Sequence, residues 1–123
     1  MKYESIRGTS RQDAETAFRQ RNAEEIEKAL LSVALHDEDL EWVQANCLKF
    51  LEYPDKGVQA TAITCLGHLA RIHRTIDTAT VLPALQAKLQ DPDLAGRASD
   101  ALDDIEMFTR DTASLPPDQQ EDS

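Results

Sequence analysis

The chain has 123 residues and a formal net charge of −10, with 41% hydrophobic but only 5% aromatic residues. That length supports a single domain burying roughly two-thirds of its unfolded surface, and apolar content dominated by Ala and Leu suits packed helices better than a sheet. No apolar run reaches the roughly 20 residues of a membrane-spanning helix, Met1 to Thr9 lack a signal-type segment, and the acidic excess repels a phosphate backbone, so an all-α, cytoplasmic protein is expected.

Residues 1–9 read as a flexible entry. Ser10 can cap a short helix whose apolar face is Ala14, Ala17 and Phe18. Asn22 caps a second helix, with Glu24, Glu25 and Glu27 near the positive end of its dipole, and this helix runs to about His36. Asp37 to Asp39 form a junction. Leu40, Val43, Cys47, Leu48 and Leu51 then stripe a third helix, which is predicted to end near Tyr53 because Pro54 disfavours helix at the residue before it. A fourth helix carries Val58, Ala62, Cys65, Leu66, Leu69 and Ile72, and closes around His73 or Arg74, where Arg71, His73 and Arg74 suit the negative end of the dipole. The fifth spans Thr78 to Gln90, with Pro83 expected to delay or kink its regular part. Pro92 is placed at the first position of a sixth helix carrying Leu94, Ala98, Ala101, Leu102, Ile105 and Phe108. Residues 110–123, rich in Thr, Ser, Pro and acids, are expected to be a disordered acidic tail.

Three of these helices share a register. Ile26, Ala29, Leu30 and Val33 recur 36 positions later as Ala62, Cys65, Leu66 and Leu69, and again as Ala98, Ala101, Leu102 and Ile105. The internal spacing places each set on one helical face. Val58 with Leu94, and Ile72 with Phe108, extend the match between the last two sets. A long fixed period implies stacked units, none of which buries its own apolar face alone. The expected architecture is a short right-handed α-solenoid of three antiparallel helix hairpins over residues 10–109.

Two segments carry a family resemblance. Residues 81–93, VLPALQAKLQDPD, resemble the first helix and turn of a HEAT repeat, and residues 58–69, VQATAITCLGHL, resemble its second helix. The similarity spans about residues 39–109. It departs from the family pattern at Gln59, where a basic residue is usual, and at Asp103, which stands where the middle unit has Gly67. The resemblance implies a HEAT-like solenoid used for protein binding and brings no catalytic residue with it. In size and charge the chain is also similar to bacterial toxin-neutralising immunity proteins, some of which use helical repeats.

His68 and His73 point about 140° apart on a helix, His36 lies elsewhere, and no HExxH run occurs, so neither a metal site nor a cofactor is expected. Cys47 and Cys65 fall at apolar helix positions and read as buried thiols. Asp100, Asp103 and Asp104 share one side of the sixth helix; they form a solvated face, or an acid and base pair if a cleft raises one pKa. The four glycines are isolated and build no phosphate loop. An enzyme is not expected. Nucleic acid is excluded as a ligand because the outward ridge of the second helices, with Glu24, Lys28, Thr64, Arg71, Asp100 and Asp103, gathers no basic cluster.

The exposed features left over suggest a protein partner. Trp42 lies nearly opposite the core stripe of its helix, on a ridge continued by Lys49 and Tyr53, where it serves as an interface anchor or packs on the first helix. Leu31 and Leu35 project away from the core set and are a second candidate contact, unless Phe18 and Ala14 cover them, which is the expected arrangement. Acids cluster at Asp37, Glu38, Asp39 and Glu41, and again at Asp100, Asp103, Asp104 and Glu106. Such acids steer a basic partner or simply keep the protein soluble. The expected function is a non-catalytic acidic immunity or inhibitor protein that neutralises a basic partner such as a toxin nuclease. Its expected contact residues are Trp42, Lys49, Tyr53, Asp100, Asp103, Asp104 and Glu106. A general HEAT-like scaffold with no inhibitory role is the alternative.

Overall fold

The computed structural model describes residues 11–109. The expected flexible entry, the Ser10 cap and the acidic tail at 110–123 lie outside the described residues. Within them the chain is all-α, with six helices: α1 (Arg11–Arg19), α2 (Ala23–His36), α3 (Leu40–Phe50), α4 (Lys56–His73), α5 (Thr78–Lys88) and α6 (Ala95–Thr109).

Short polar side chains start the helices. Asn22, Asp39 and Asp55 each accept a hydrogen bond from the backbone N–H three residues on, at Glu25, Trp42 and Val58, which satisfies one of the amides orphaned at a helix N-terminus. Asp77 stands at the same position before α5 but accepts from the Thr80 hydroxyl instead. At the other end of α4, Arg74 takes a left-handed conformation (φ 61°) while its N–H bonds to the Ala70 carbonyl, stopping the helix without glycine.

Three predicted boundaries shift, each for a backbone reason. The third helix ends at Phe50 rather than Tyr53, because Glu52 and Tyr53 donate to the carbonyls only three residues back, tightening the final turn out of α geometry. The fifth begins at Thr78 and runs through Pro83 without a late start, ending at Lys88. The sixth begins at Ala95, beyond Pro92. The Asp91 carbonyl receives the N–H groups of both Leu94 and Ala95, and the Asp91 side chain takes that of Asp93, so Pro92 belongs to the turn that leads into the helix.

The 36-residue register is visible in three dimensions. The Thr61 hydroxyl donates to Glu27 across 34 positions, Arg97 donates to the Thr64 hydroxyl across 33, and the Asp77 N–H donates to the Gln44 side chain across 33. Equivalent positions of successive units therefore lie side by side, and α2, α4 and α6 run parallel to one another. Within the first unit, Arg11 at the start of α1 reaches Asp37 and Asp39 beyond the end of α2, the geometry of an antiparallel hairpin. Helix α4 packs on α2, α3 and α6, with α1 against α2 and α5 against α6. This arrangement is compatible with a solenoid of stacked hairpins.

Burial follows the register except toward its C-terminal end, at Leu102, Ile72 and Phe108. All four core positions of α2 and of α4 are buried, as are Ala98, Ala101 and Ile105 of α6, whereas Leu102 is half-buried. Leu102 faces a groove between α5 and α6 with Leu82, at the end of the stack where no further hairpin follows among the described residues. Ile72 keeps the register but is 48% exposed.

Close approach of α4 and α6 depends on small residues. A Cβ on Gly67 would stand 3.2 Å from the Asp104 carboxylate and 3.4 Å from the Ala101 Cα. The interface between α3 and α4 holds Cys47 and Cys65, both fully buried free thiols. Hydrogen bonding to Cys65, reinforced by burial, pushes the Cys47 thiol well above its ordinary value.

Two outcomes test this packing. Gly67→Val should cost about 1–3 kcal/mol by forcing α6 away from α4, read as a lower thermal midpoint; an unchanged midpoint would mean that the helices do not meet there. Both thiols should resist a thiol-specific reagent in the native protein and react together on unfolding in denaturant.

Candidate functional site

The acids divide into two sets once their partners are known. Asp39 caps α3, and Arg11 lies 3.0 Å from Asp39 and 3.5 Å from Asp37. The Trp42 backbone N–H, followed by the Arg11 guanidinium, holds the Asp39 carboxyl below its usual range. Lys56 pairs with Asp91 and stands 3.7 Å from Asp93, and the bond to Lys56 lowers the Asp91 pKa. These carboxylates organise turns. On α6, by contrast, Asp100 and Asp103 are exposed and Asp104 is half-buried, and none of the three forms an ion pair among the described residues. Glu106 is exposed beside them at the rim of the α5–α6 groove.

The aromatic ridge on α3 is engaged within the molecule. The Arg11 guanidinium sits 4.2 Å from the centre of the Trp42 ring, which is half-buried against the core, a cation–π contact. Tyr53 is half-buried with its ring 5.6 Å from Phe50, Phe18 approaches Phe50 at 5.0 Å, and the Lys49 ammonium lies 5.5 Å over the same Phe50 ring. Lys49 and Tyr53 thus meet at the Phe50 ring, whereas Trp42 meets Arg11. Trp42 and Lys49 stand on α3, which packs on α2 and α4, and Tyr53 in the turn after it, while the four acids stand on α6, which packs on α4 and α5. The fold places the expected contact residues as two separate groups.

The second candidate surface, around Leu31 and Leu35, is open in the structure. With Phe18 turned to Phe50, the expected cover over Leu31 and Leu35 is missing, and these leucines are 36% and 49% exposed. Leu35 joins Ile72 and Phe108 around a groove of about 460 Å³ at the C-terminal ends of α2, α4 and α6. Arg71 and Arg74 lie 5.6 Å and 5.3 Å from the Phe108 ring. His68 and Arg71 also border a neighbouring groove of about 290 Å³ between α4 and α6, lined by Arg97, Asp100 and Asp104. Burial first, and then the Arg71 charge, hold His68 below the ordinary imidazole value against the opposing effect of Asp104, so its ring is neutral at pH 7. The one available signal was that Leu31 and Leu35, four residues apart, stand outside the repeated core register.

No group of three or more His, Cys, Asp or Glu side chains among the described residues is placed to hold a metal ion, and no described helix is long and apolar enough to cross a membrane. What the fold offers is a layer of parallel helices with an apolar groove, an acidic helix face and half-covered aromatics, the composition of a surface that meets other macromolecules.

No protein-family model and no curated protein sequence matches the chain. A chain in the crystal structure of a CDI complex from Cupriavidus taiwanensis LMG 19424 is similar to it at 30% identity, with a TM-score of 0.76, over 84% of this chain and 91% of that one. The protein belongs to the same family as that chain.

The role of Asp39 is open to a direct test. Its folded pKa lies below the unfolded value near 3.9, so its stabilising effect is complete above that value and disappears as pH falls through the lowered folded pKa. Asp39→Ala should melt earlier than the parent protein at pH 7, with the gap closing under strong acid. A gap independent of pH would show that ionisation of Asp39 is irrelevant to the cap.

Proposed function

We propose that this protein is a bacterial, cytoplasmic immunity protein of a contact-dependent inhibition system, which neutralises a basic toxin domain by binding it and catalyses no reaction. The observation that carries this reading is the similarity, over nearly the full length of both chains, to a component of a CDI complex. The charge of −10 supports the inhibitory half of such a pair: an acidic surface steers a basic nuclease into contact and competes with the phosphates that the nuclease would bind. The α6 carboxylates Asp100, Asp103, Asp104 and Glu106 supply that steering. Trp42, with Lys49 and Tyr53, provides a second contact through the part of the indole that Arg11 leaves uncovered.

Production of the chain together with the toxin domain encoded beside it should rescue growth, and the chain produced alone should be harmless. Growth arrest by the chain alone would instead identify it as the toxic component. In purified form, the association rate should fall steeply with added salt, and replacing Asp100, Asp103 and Asp104 by Ala should slow association on the order of tenfold with little change in thermal midpoint. An unchanged rate would remove these acids from the encounter surface.

A further inference from the structure

The groove at the C-terminal ends of α2, α4 and α6 is bordered by Leu35, His68, Arg71, Ile72 and Phe108. Leu35 and Ile72 are 49% and 48% exposed, so aliphatic surface is left in water where three helices end together. The charge of the groove runs against that of the chain. No carboxylate borders it. Arg71 and Arg74, both exposed, stand 5.6 Å and 5.3 Å from the Phe108 ring and form no ion pair among the described residues. Within a chain of net charge −10, this groove suits an occupant that is apolar and acidic at once.

We propose that the occupant is the chain's own segment 111–122, with Leu115 against Ile72 and Leu35 and the flanking acids toward Arg71 and Arg74. The assignment does not depend on the immunity reading. The segment carries Asp111, Asp118, Glu121 and Asp122 and no basic residue, and Leu115 is its one large aliphatic side chain. It also starts at the groove, since Phe108 stands three positions before Asp111 and already borders it. Pro116 disfavours helix at Leu115, which suits a chain that crosses the helix ends rather than prolonging α6. Reach is sufficient: Leu115 is seven positions beyond Phe108, up to roughly 25 Å of extended backbone, and α6 to α2 across α4 is two interaxial distances, roughly 20 Å. Tethering supplies the segment at an effective concentration on the order of millimolar, so a weak contact suffices. A second copy would instead bring its own acidic excess to the same face. The docked segment removes Leu35 and Ile72 from water, and a partner that uses this face has to displace it.

The test uses the full chain with Ile72→Cys and Leu115→Cys combined; Cys47 and Cys65 are fully buried and stay out of the reaction. Under oxidised glutathione, a disulfide within one chain should form roughly tenfold faster than in the control pair Thr78→Cys with Leu115→Cys. Thr78 is exposed and borders the groove between α5 and α6 beside Thr109, so the control lies within equal reach of the segment. Equal rates, or faster closure at Thr78, would overturn the assignment. So would a disulfide that joins two chains, which would put a second copy in the groove. A second measurement needs no added thiol: Leu115→Asp in the otherwise unsubstituted chain should shift the NMR methyl signals of Leu35 and Ile72. Asp118→Asn, Glu121→Gln and Asp122→Asn together should move the same signals less. Methyl signals at Leu35 and Ile72 that ignore Leu115→Asp would overturn the proposal even if the cysteine pairs fold poorly.

Discussion

Helix α4 buries Val58, Ala62, Cys65, Leu66 and Leu69 completely, and it can do so because a helix of the same pattern flanks it on each side while α3 covers a third face. A helix with apolar and small residues around so much of its circumference would be insoluble alone. The neighbours are required to come close, and the residues at the contact permit it: Gly67 faces Ala101, and Ala62 and Ala98 occupy equivalent core positions. The parallel alignment of α2, α4 and α6 follows, and with it the surface that their outward faces share. Remove the close approach at Gly67 and the groove between α4 and α6 changes shape along with the core.

The same chemical group does two different jobs according to its place in this scaffold. Asp39, Asp55 and Asp91 hold the ends of helices, and Asp39 and Asp91 are paired with Arg11 and Lys56 as well. A carboxylate so held is unavailable to a partner. Asp100, Asp103 and Asp104 sit in the body of a helix, where no backbone amide is free to bind them, and no cation lies within ion-pair reach among the described residues. An acidic count alone therefore overstates the electrostatics offered to a partner, since part of it maintains turns. The α6 acids remain as the usable field, and they lie near the groove that holds the exposed Leu35 and Ile72 and the half-buried Phe108.

The aromatic residues follow a parallel division. Trp42 is drawn into an arginine contact that Asp37 and Asp39 stabilise from the other side, so indole, guanidinium and two carboxylates form one linked group at the junction of α1, α2 and α3. Helical spacing puts Trp42 opposite the core stripe, whereas in the structure its ring is half-buried against the core and under Arg11. Spacing within α3 carries no information about Arg11, 31 positions away in the chain. Leu31 and Leu35 illustrate the converse: the chain offers Phe18 and Ala14 of the preceding helix as their cover, whereas Phe18 is taken up by Phe50 of the next unit.

Six helices, their division into three pairs and the repeated core positions were legible in the chain itself, because a period of 36 with a fixed 3, 1, 3 spacing constrains which side chains face inward regardless of how the units are tilted, whereas Phe50, Ile63, Val81 and Leu85, buried outside that spacing, were not. The cap at Asn22 belongs to the same class of information, since it depends on residues three positions apart. Tertiary structure alone decided which acids are paired, which aromatics are covered and which apolar side chains stay exposed. Those outcomes depend on residues about thirty positions apart meeting across a helix interface, at distances of a few ångströms that no local pattern encodes.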